Sequence, residues 1–414
     1  MSRSTNTDIL RGRVATLLQG DKVIWLVVAL LAIFSVLTVY SSTEVLAQKR
    51  NTYTESFLVK HLVLLGLGVL LMYIGHLVNY LRYARLSTVL LAMAIPMLIY
   101  TMFFGVDIHE AKRWIRIPFV GITFQTADFA KLALILYVAR TISLMQNRKV
   151  SIMELLAPVL LVCVLIAPYD LSNALILFFT CVLQMFIGRV ELRNVFSLLM
   201  LGIGVFAILI IMGDFFTWIR VDTWISRLRD FMDGSGVEGY QVTQAKMALA
   251  RGGILGVGPG NGVQSHFLPH SYSDYIYCII VEEYGLIGGF IVVVLYMTLL
   301  VRCIRMVTKS PKAFGAMLSM GLCLSIVIQA FAHMAVNVNL MPVTGLTLPF
   351  VSMGGTSLLF TGISFGIILS VSRYIENTSS VEDATEKRKR GKGNRAKDED
   401  DDDEGEVKSS KENK

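Results

Sequence analysis

The sequence predicts an all-α membrane protein of about ten transmembrane helices, with a large extracytoplasmic loop before the eighth helix. Hydrophobic residues make up 54% of the 414 residues, and charged residues only 17%. A water-soluble chain of this length needs far more polar surface, so this composition is typical of a protein embedded in a bilayer. Charge-free runs recur along the chain, and basic residues gather in alternate loops between them.

The predicted helices follow from these charge-free runs, because a spanning helix needs about 20 apolar residues. The run 313–372 is too long for one helix and has a Pro/Gly-rich break at 341–355, which predicts two helices around a loop. A weaker span lies near 125–145, where Lys131 and Arg140 interrupt the pattern. The remaining runs lie at 23–43, 61–81, 86–106, 155–169, 171–188, 194–213 and 284–301.

Basic residues in short loops predict the orientation, because cytoplasmic loops carry an excess of Lys and Arg. Both termini are therefore predicted to be cytoplasmic, as an even number of spans requires. The basic residues assigned to this side are Arg3, Arg11, Arg13, Lys22, Arg82, Arg85, Arg148, Lys149, Arg189, Arg193, Arg302, Arg305, Lys309 and Lys312.

The sequence predicts three parts along the chain: two tails and a membrane domain between them. Residues 1–21 are predicted to form a cytoplasmic tail, and 22–376 a polytopic membrane domain whose extracytoplasmic loop covers 214–274. Residues 377–414 carry a basic block and then an acidic block, a composition typical of a disordered cytoplasmic tail. The net charge of +7 does not indicate nucleic-acid binding in so apolar a chain, and no nucleic-acid partner is expected.

The predicted outer face carries more basic residues than the usual bias allows. Lys112, Arg113 and Arg116 lie in the short loop 105–124. A long loop is translocated despite its charges, which is one explanation for the cations of 214–274; an anionic substrate at the outer surface is the other. The explanation from length is weaker for the short loop, whose cations favour an anionic ligand such as a lipid-linked phosphate.

Asp128 and Lys131 are three residues apart at the head of a predicted span, so a helix places them on one face. Ionisable side chains in a membrane segment are costly and usually functional. The alternative is an ion pair that only neutralises itself within the helix. Trp114, next to Arg113, would by itself be an ordinary interfacial aromatic residue.

The long loop contains Gln241, Gln244 and Lys246, followed by a glycine-rich stretch over 250–262. Glycines at this density allow backbone N–H groups to approach a phosphate closely. The stretch lacks the G-K-[ST] ending of a nucleotide-binding loop, and no strand–helix context surrounds it. A flexible surface loop is therefore the default interpretation.

Asp274 lies where the long loop meets the next membrane helix. A lone carboxylate at the water–lipid border, facing a cationic loop, suits a general base. A helix N-cap, a position that Asp favours, is an equally good interpretation. Glu282 and Glu283 follow one or two turns into the membrane, where they must face a cavity or a partner.

The break between the last two predicted helices carries hydroxyls and amides but no charge, and includes Ser352, Thr356 and Ser357. Irregular backbone at membrane depth is tolerated only at the surface or around a cavity, so this segment suits a sugar or a diphosphate. A tight helix hairpin is the alternative.

In this order along the chain, these segments resemble the SEDS family of bacterial wall synthases, which includes FtsW, RodA and SpoVE, over residues 22–375. The segments Asp21–Trp25 and Val39–Ser42 are more similar to the FtsW branch than to the RodA branch. The motifs that carry the resemblance are Arg113-Trp114, the block Gln125–Lys131, Gly239-Tyr-Gln241 with the glycine loop, Leu268-Pro269 to Asp274, Glu282-Glu283, and Pro349 to Ser357.

Several positions depart from the family pattern. The usual Q-P-S-E-F-x-K has Thr126 for Pro and Asp128 for Glu, and the usual G-G-S-S carries Thr356. The usual Q-P-D-L-G reads Pro168 to Ser172 here and keeps Asp170. The shorter carboxylate at Asp128 keeps the charge pattern and leaves the geometry of that pair open.

The resemblance implies a peptidoglycan glycosyltransferase that polymerises lipid II at the outer face of the cytoplasmic membrane, at the division septum. It also implies a class B penicillin-binding protein and other division proteins as partners. Asp274 matches the family's essential loop aspartate. No cofactor is evident, and a divalent cation (Mg²⁺ or Mn²⁺) is an open alternative. Substrate-binding positions are expected at Lys60, Arg113, Trp114, Asp128, Lys131, Gln241, Gln244, Lys246, Glu282, Glu283, Ser352, Thr356 and Ser357.

The expected reaction joins the 4-hydroxyl of an acceptor GlcNAc to the anomeric carbon of a donor MurNAc on undecaprenyl diphosphate, with inversion. Asp274 would take the hydroxyl proton, and Lys131 would stabilise the leaving diphosphate, helped by Lys60, Arg113 or a divalent cation. An elongation polymerase of the RodA type, a lipid II flippase and a non-catalytic division scaffold are the alternatives. A flippase should use both membrane faces, and a scaffold should survive loss of Asp274.

Overall fold

The computed structural model describes most of the chain between residues 19 and 379. The predicted tails at 1–21 and 377–414 therefore lie almost wholly outside the described residues. The described ranges are 19–49, 54–108, 111–116, 123–147, 150–213, 220–233, 236–268 and 270–379.

Helices dominate these residues, as predicted. They are α1 Lys22–Lys49, α2 Thr54–Leu77, α3 Tyr80–Phe104, α4 Thr126–Asn147, α5 Met153–Ile166, α6 Leu171–Ile187, α7 Leu192–Gly213, α8 Val221–Asp233, α9 Gly236–Gly252, α10 Ile276–Lys309, α11 Ala313–Asn337 and α12 Ser357–Ser379. A short 3₁₀ helix covers Gln264–His266.

Seven of the described helices are long and apolar enough to cross a membrane: α1, α2, α3, α7, α10, α11 and α12. Helices α5 and α6 are apolar but shorter. Helix α4 is 22 residues long and carries Asp128, Lys131 and Arg140. The predicted helical membrane architecture is confirmed, while the total of about ten spans stays a prediction that depends on these last three helices.

Helix α11 lies at the centre of the bundle and packs against α4, α6 and α10. Its most apolar window is 89% buried, compared with 22% for α2 and 11% for α7. Small residues allow this close packing. At Gly321, for example, a Cβ atom would lie 2.5 Å from Nε2 of the buried Gln184. The poorly buried α2 and α7 expose the apolar surface that a bilayer covers.

The two ends of the described chain lie together on one face of the bundle. The Gly20 N–H donates to Oε2 of Glu376, and the Asp21 N–H donates to Oγ of Ser372, each over 2.9 Å. Nε of Arg302 lies 2.6 Å from Oδ2 of Asp21. The start of α1, the end of α12 and the end of α10 therefore meet on this face, which we call the tail face.

The opposite face is reached by the second half of α1, and we call it the loop face. There the Ser41 hydroxyl donates to the Glu283 carboxylate. The Ser271 hydroxyl donates to the Ser42 carbonyl over 3.3 Å. The connection between α7 and α10 thus contacts the bundle at the end away from the tail face.

The segment 105–124, predicted to be a loop, contains a small antiparallel sheet. Its strands are β1 Val106–Ile108, β2 Ala111–Arg116 and β3 Thr123–Gln125, in the order β1-β2-β3. Trp114 on β2 pairs with Gln125 on β3, so the sheet leads directly into α4. Strands of three to six residues are too short for an alternating pattern to stand out, which explains why they were not predicted.

The connection 214–274, predicted to be a long loop, contains helices α8 and α9 in its described residues. Helix α8 is amphipathic, with Val221 buried and Ile225, Leu228 and Met232 exposed on its surface. Its many charged residues lowered the apolar signal that identified the membrane helices.

Candidate active site

Asp274 lies half-buried at the loop face, in the turn before α10. The N-cap of α10 is Tyr275, which makes no side-chain capping bond, so the N-cap interpretation of Asp274 is wrong. Oδ1 of Asp274 accepts a hydrogen bond from the Ser273 hydroxyl over 2.8 Å. Oδ2 lies 3.7 Å from where a Cβ on Gly345 would be, so the carboxylate reaches towards the segment between α11 and α12.

Residues 338–356 form this segment, which we call the α11–α12 segment. It is irregular, with positive φ at Asn339, Gly345, Phe350 and Gly355. The Met353 N–H donates to the Tyr272 carbonyl over 3.1 Å, so the segment packs on the turn that carries Asp274. With α11 ending at Asn337 and α12 beginning at Ser357, the segment is too long for a tight hairpin, and it contacts the turn that carries the candidate base.

Arg113 on β2 and Asp170 before α6 form an ion pair, with Nη1 and Oδ2 3.5 Å apart. The Asp170 side chain is only 3% exposed and also accepts from Nδ2 of Asn173 over 2.9 Å. Nε2 of Gln125 lies 3.5 Å from the same oxygen. The predicted sites omitted Asp170, although its place in the Pro168–Ser172 motif was a usable signal.

A cavity of about 340 Å³ lies between α6, α7, α8 and the α11–α12 segment, a volume in the range of small-molecule sites. Its wall is largely apolar and includes Leu175, Phe206 and Ile210. Three arginines also line it: Arg113, Arg220 and Arg227. An apolar pocket with clustered guanidinium groups suits a ligand with a hydrocarbon part and an anionic part.

Thr344 connects this cavity to the candidate base. Its side chain lines the cavity, and the next residue, Gly345, lies against the Asp274 carboxylate. Asp274 and the arginine-lined cavity are thus neighbours across one stretch of the α11–α12 segment.

Asp128 and Lys131 pair within the first turns of α4, as predicted, with Nζ and Oδ1 3.4 Å apart. Nζ of Lys131 also donates to Oε1 of Gln329 over 2.8 Å, and Nε2 of Gln329 donates to the Thr347 carbonyl over 2.9 Å. The adjoining cavity, which Ser357 also lines, holds about 20 Å³, room for about one water molecule. A diphosphate does not fit beside Lys131 in this conformation.

Glu282 and Glu283 are buried in α10 and face a partner, as predicted for carboxylates at this depth. Oε1 of Glu282 accepts from the N–H groups of Val263 and Gln264 over 2.9 and 3.2 Å. Glu283 accepts from Ser41. Both carboxylates therefore attach the end of the glycine loop and α1 to α10.

Helix α10 is interrupted at Gly285, whose φ of +69° and ψ of −174° break the helical hydrogen bonding. The freed carbonyls of Glu282 and Glu283 accept from the glycine loop, from the N–H groups of Val257 and Gly258, each over 3.0 Å. The freed Leu286 N–H donates back to the Gly253 carbonyl over 3.0 Å. The glycine loop thus replaces the missing turn of the helix.

The glycines allow this contact between two backbones. A Cβ at Gly252 would collide with the Val281 carbonyl, and a Cβ at Gly256 with the Glu283 carbonyl. The close backbone approach that the glycines indicated exists, and at Gly252 and Gly256 the neighbouring backbone is that of α10.

The other predicted residues lie at varied distances from Asp274. Oε1 of Gln241 accepts from the Tyr275 hydroxyl over 3.1 Å, so α9 contacts the residue after Asp274. Gln244 is half-buried on the same helix, while Lys246 is exposed and lines a separate cavity of about 280 Å³. Lys60 is exposed on α2 and lines none of the cavities described above.

Trp114 lies within the sheet, and Thr356 attaches the sheet to α12. Trp114 is half-buried beside Arg113 on β2. Thr356 is buried, and its Oγ1 accepts from the Gln125 N–H over 3.3 Å, which ties β3 to the start of α12. Within the described ranges, no group of three His, Cys, Asp or Glu side chains is placed to hold a metal ion.

The fold and the site together define a polytopic helical membrane protein with a carboxylate and an arginine-lined cavity on one membrane face. The chain belongs to the FtsW/RodA/SpoVE family of cell cycle proteins, whose family model matches residues 21–377. The resemblance drawn from its motifs is thereby confirmed.

Relatives in this family are similar over nearly their whole length. "Probable peptidoglycan glycosyltransferase FtsW" of Geobacter metallireducens is 30% identical over 366 residues, which cover 86% of this chain and 96% of the relative. The protein of the same name in Geobacter sulfurreducens is 31% identical over 364 residues, covering 85% and 95%. Stage V sporulation protein E of Bacillus subtilis is 29% identical over 362 residues, covering 86% and 97%.

Solved structures share the fold. A chain from a peptidoglycan synthase complex, described for its coordination of polymerization and crosslinking, matches with a TM-score of 0.66 at 24% identity, covering 86% of this chain and 98% of its own. The rod-shape-determining protein RodA of Thermus thermophilus matches with a TM-score of 0.61 at 22% identity, covering 86% and 97%.

Proposed function

We propose that this protein is a peptidoglycan glycosyltransferase that polymerises lipid II into glycan strands at the outer face of the cytoplasmic membrane, in septal wall synthesis. The observation that carries the proposal is the approach of Asp274 to the arginine-lined cavity through Thr344 and Gly345. This transfer needs a base beside a site for a prenyl diphosphate. Two relatives named as peptidoglycan glycosyltransferases, 30% and 31% identical, support the proposal.

The cavity suits both halves of a lipid-linked sugar. Its apolar wall matches a prenyl tail, and guanidinium groups bind phosphate oxygens in bidentate fashion. Nε of Arg113 and the hydroxyl of Thr344 are buried there and have no hydrogen-bond partner among the described residues. Leaving such groups unsatisfied is costly, so a polar ligand that reaches them is favoured.

In the proposed reaction, the 4-hydroxyl oxygen of the acceptor GlcNAc attacks the anomeric carbon of the donor MurNAc. The bond from that carbon to the diphosphate oxygen breaks, the hydroxyl proton passes to Asp274, and the configuration inverts. Arg113, Arg220 and Arg227 stabilise the negative charge that develops on the leaving diphosphate.

We propose a role for Lys131 that differs from the one its sequence position suggested. It lies beside a cavity of only about 20 Å³ and is hydrogen-bonded to Gln329, which in turn binds the Thr347 carbonyl. We assign the Asp128–Lys131 pair to fixing the α11–α12 segment, which borders both Asp274 and the larger cavity.

Any divalent cation in the reaction is proposed to arrive with the diphosphate. Phosphate oxygens supply ligands that Mg²⁺ and Mn²⁺ prefer, and these ions need few direct protein ligands. A cation held this way would add to the positive charge of the arginines beside the leaving group.

The proposed orientation places the tail face in the cytoplasm and the loop face outside. Arg302, Arg305 and Lys309 lie towards the tail-face end of α10, in accordance with the excess of basic residues in cytoplasmic loops. We propose a class B penicillin-binding protein as the partner that cross-links the new strands. The similarity to a chain of a complex that coordinates polymerization and crosslinking supports this partner.

The experiment that tests the proposal is gel analysis of glycan polymer made from labelled lipid II by the purified protein in detergent. Wild type and Asp274→Ala are compared, each with and without the cognate class B penicillin-binding protein. We expect polymer from wild type and none from Asp274→Ala. If wild type makes no polymer even with the partner, the proposed glycosyltransferase activity is refuted. Lipid II flipping or scaffolding would then be the favoured function.

A further inference from the structure

The backbone that carries Asp274 is held by donors from outside its own segment. Three consecutive carbonyls, those of Tyr272, Ser273 and Asp274, each accept a hydrogen bond. The donors are the Met353 N–H at 3.1 Å, the Ser352 hydroxyl at 2.7 Å and Nδ2 of Asn337 at 3.0 Å, in the same order. The end of α11 and the α11–α12 segment are thus hydrogen-bonded to the turn that carries the candidate base.

Asn337 uses both ends of its side-chain amide in this contact. Nδ2 donates to the Asp274 carbonyl and, over 2.9 Å, to the His333 carbonyl one turn back in α11. Oδ1 accepts from the Cys278 N–H over 3.2 Å. The residue is 1% exposed. Its amide therefore spans the turn from Asp274 to Cys278 and fixes it to the most buried helix of the bundle.

The Ser352 hydroxyl is also hydrogen-bonded entirely within the protein. Its hydroxyl donates to the Ser273 carbonyl and accepts from the Leu348 N–H over 2.8 Å, and the residue is 1% exposed. A buried hydroxyl that both donates and accepts within the chain has little capacity left for a sugar or a phosphate. The sequence suggested that Ser352 binds substrate, whereas its contacts give it another role.

We propose that Asn337 and Ser352 are positioning residues that set the location of the Asp274 carboxylate relative to the arginine-lined cavity. This inference rests on the proposed function. Asp274 precedes α10 and lies outside its hydrogen-bonded turns, so the bonds to its carbonyl and to the Ser273 carbonyl restrain its backbone. A general base must lie within about 3 Å of the proton it removes, and a misplacement of about 1 Å costs about 100-fold in rate.

The test compares Asn337→Leu and Ser352→Ala with two controls that remove buried polar groups elsewhere. Asn337→Leu replaces the amide by an apolar side chain of similar size. Ser352→Ala is the milder change. The controls are Gln184→Leu, which removes amide bonds to the Met317 and Ile135 carbonyls, and Ser319→Ala, which removes a hydroxyl bonded within α11.

Each variant is purified in detergent and measured for its unfolding midpoint and for kcat and KM with labelled lipid II, at a temperature at which all variants are folded. We expect kcat to fall by about 10- to 100-fold in Asn337→Leu and Ser352→Ala, with KM within about threefold of wild type. We expect each control to lose as much thermal stability as its matched variant while keeping its kcat.

Two results would overturn the inference while the proposed function stands: wild-type kcat in both test variants, or a fall in kcat that the controls share in proportion to their lost stability. Absence of polymer from wild type would overturn the proposed function itself, and the two failures are thereby distinguished.

Discussion

Nη1 of Arg113 lies 3.5 Å from Oδ2 of Asp170, a carboxylate whose other oxygen accepts from the Asn173 N–H at the start of α6. One aspartate thus caps a membrane helix and orients an arginine at the wall of the large cavity. The pairing links β2 to α6, two elements far apart in the sequence, and it places a guanidinium group where the proposed diphosphate would bind.

Replacement of Asp170 by Asn or Ala separates these two roles. Asparagine can keep the helix cap through its Oδ1, but its NH2 group then replaces the Oδ2 that faces three donors, so Asp170→Asn should lower stability. Asp170→Ala should cost about 1 kcal/mol more, because it also removes the cap. Both should reduce kcat/KM for lipid II, because Arg113 loses its charged partner. Thermal unfolding and polymerisation kinetics of the two variants test this. Equal stability of the two variants would contradict the capping role.

The cavity arginines should contribute to binding of the lipid diphosphate. We expect Arg220→Gln and Arg227→Gln each to weaken lipid II affinity by about 10-fold, since a hydrogen bond to a charged group contributes about 1.5 kcal/mol. Arg229→Gln is the matched control, because Arg229 lies on α8 with Arg227, is exposed and does not line the cavity. Binding of labelled lipid II in detergent is the measurement. A similar loss in all three variants would indicate only a general effect of charge.

The Asp128–Lys131 pair should show strong coupling in a double-mutant cycle. Lys131→Met leaves a buried carboxylate without its cation, and we expect a loss of about 3–5 kcal/mol in the free energy of unfolding. Asp128→Asn combined with Lys131→Met should recover most of that loss. Unfolding in detergent by chemical denaturation measures it. Additive losses in the double variant would mean that the pair is not coupled.

The glycine loop offers a test that separates close contact from backbone conformation. Gly253 and Gly256 both have positive φ, but a Cβ at Gly253 meets no atom within 4 Å, while a Cβ at Gly256 collides with the Glu283 carbonyl. Gly253→Ala should therefore cost about 1 kcal/mol, and Gly256→Ala clearly more. The unfolding midpoints of the two variants measure these losses. Equal losses of stability would show that close contact with α10 adds no cost beyond the backbone strain.

The sequence could predict the long membrane helices because their apolar runs need no knowledge of what they pack against. It could not predict that β2 pairs with β1 and with β3, since each strand is too short to show an alternating pattern. The glycine loop was misleading for a similar reason. Its composition indicates close backbone approach, but only the break at Gly285 identifies which backbone approaches.

The candidate site also contains residues that the sequence could identify and residues that it could not. Asp274 and Arg113 are charged residues at predicted membrane boundaries, and this made them visible in the sequence. Asn337 and Gln329 are uncharged residues in the apolar run of α11, so nothing in the run indicates that one binds the Asp274 carbonyl and the other Lys131. Such contacts depend on which helices pack together, and a local sequence pattern does not predict this.

The most direct test of the central claim, that Asp274 is the base of a lipid II polymerase, uses Asp274→Asn. This change keeps the size of the side chain and removes its ability to take a proton. We predict that the variant binds labelled lipid II within about threefold of wild type and shows a loss of polymerisation rate of at least about 100-fold, in the range of general base catalysis. Polymerisation at the wild-type rate by Asp274→Asn would contradict the account.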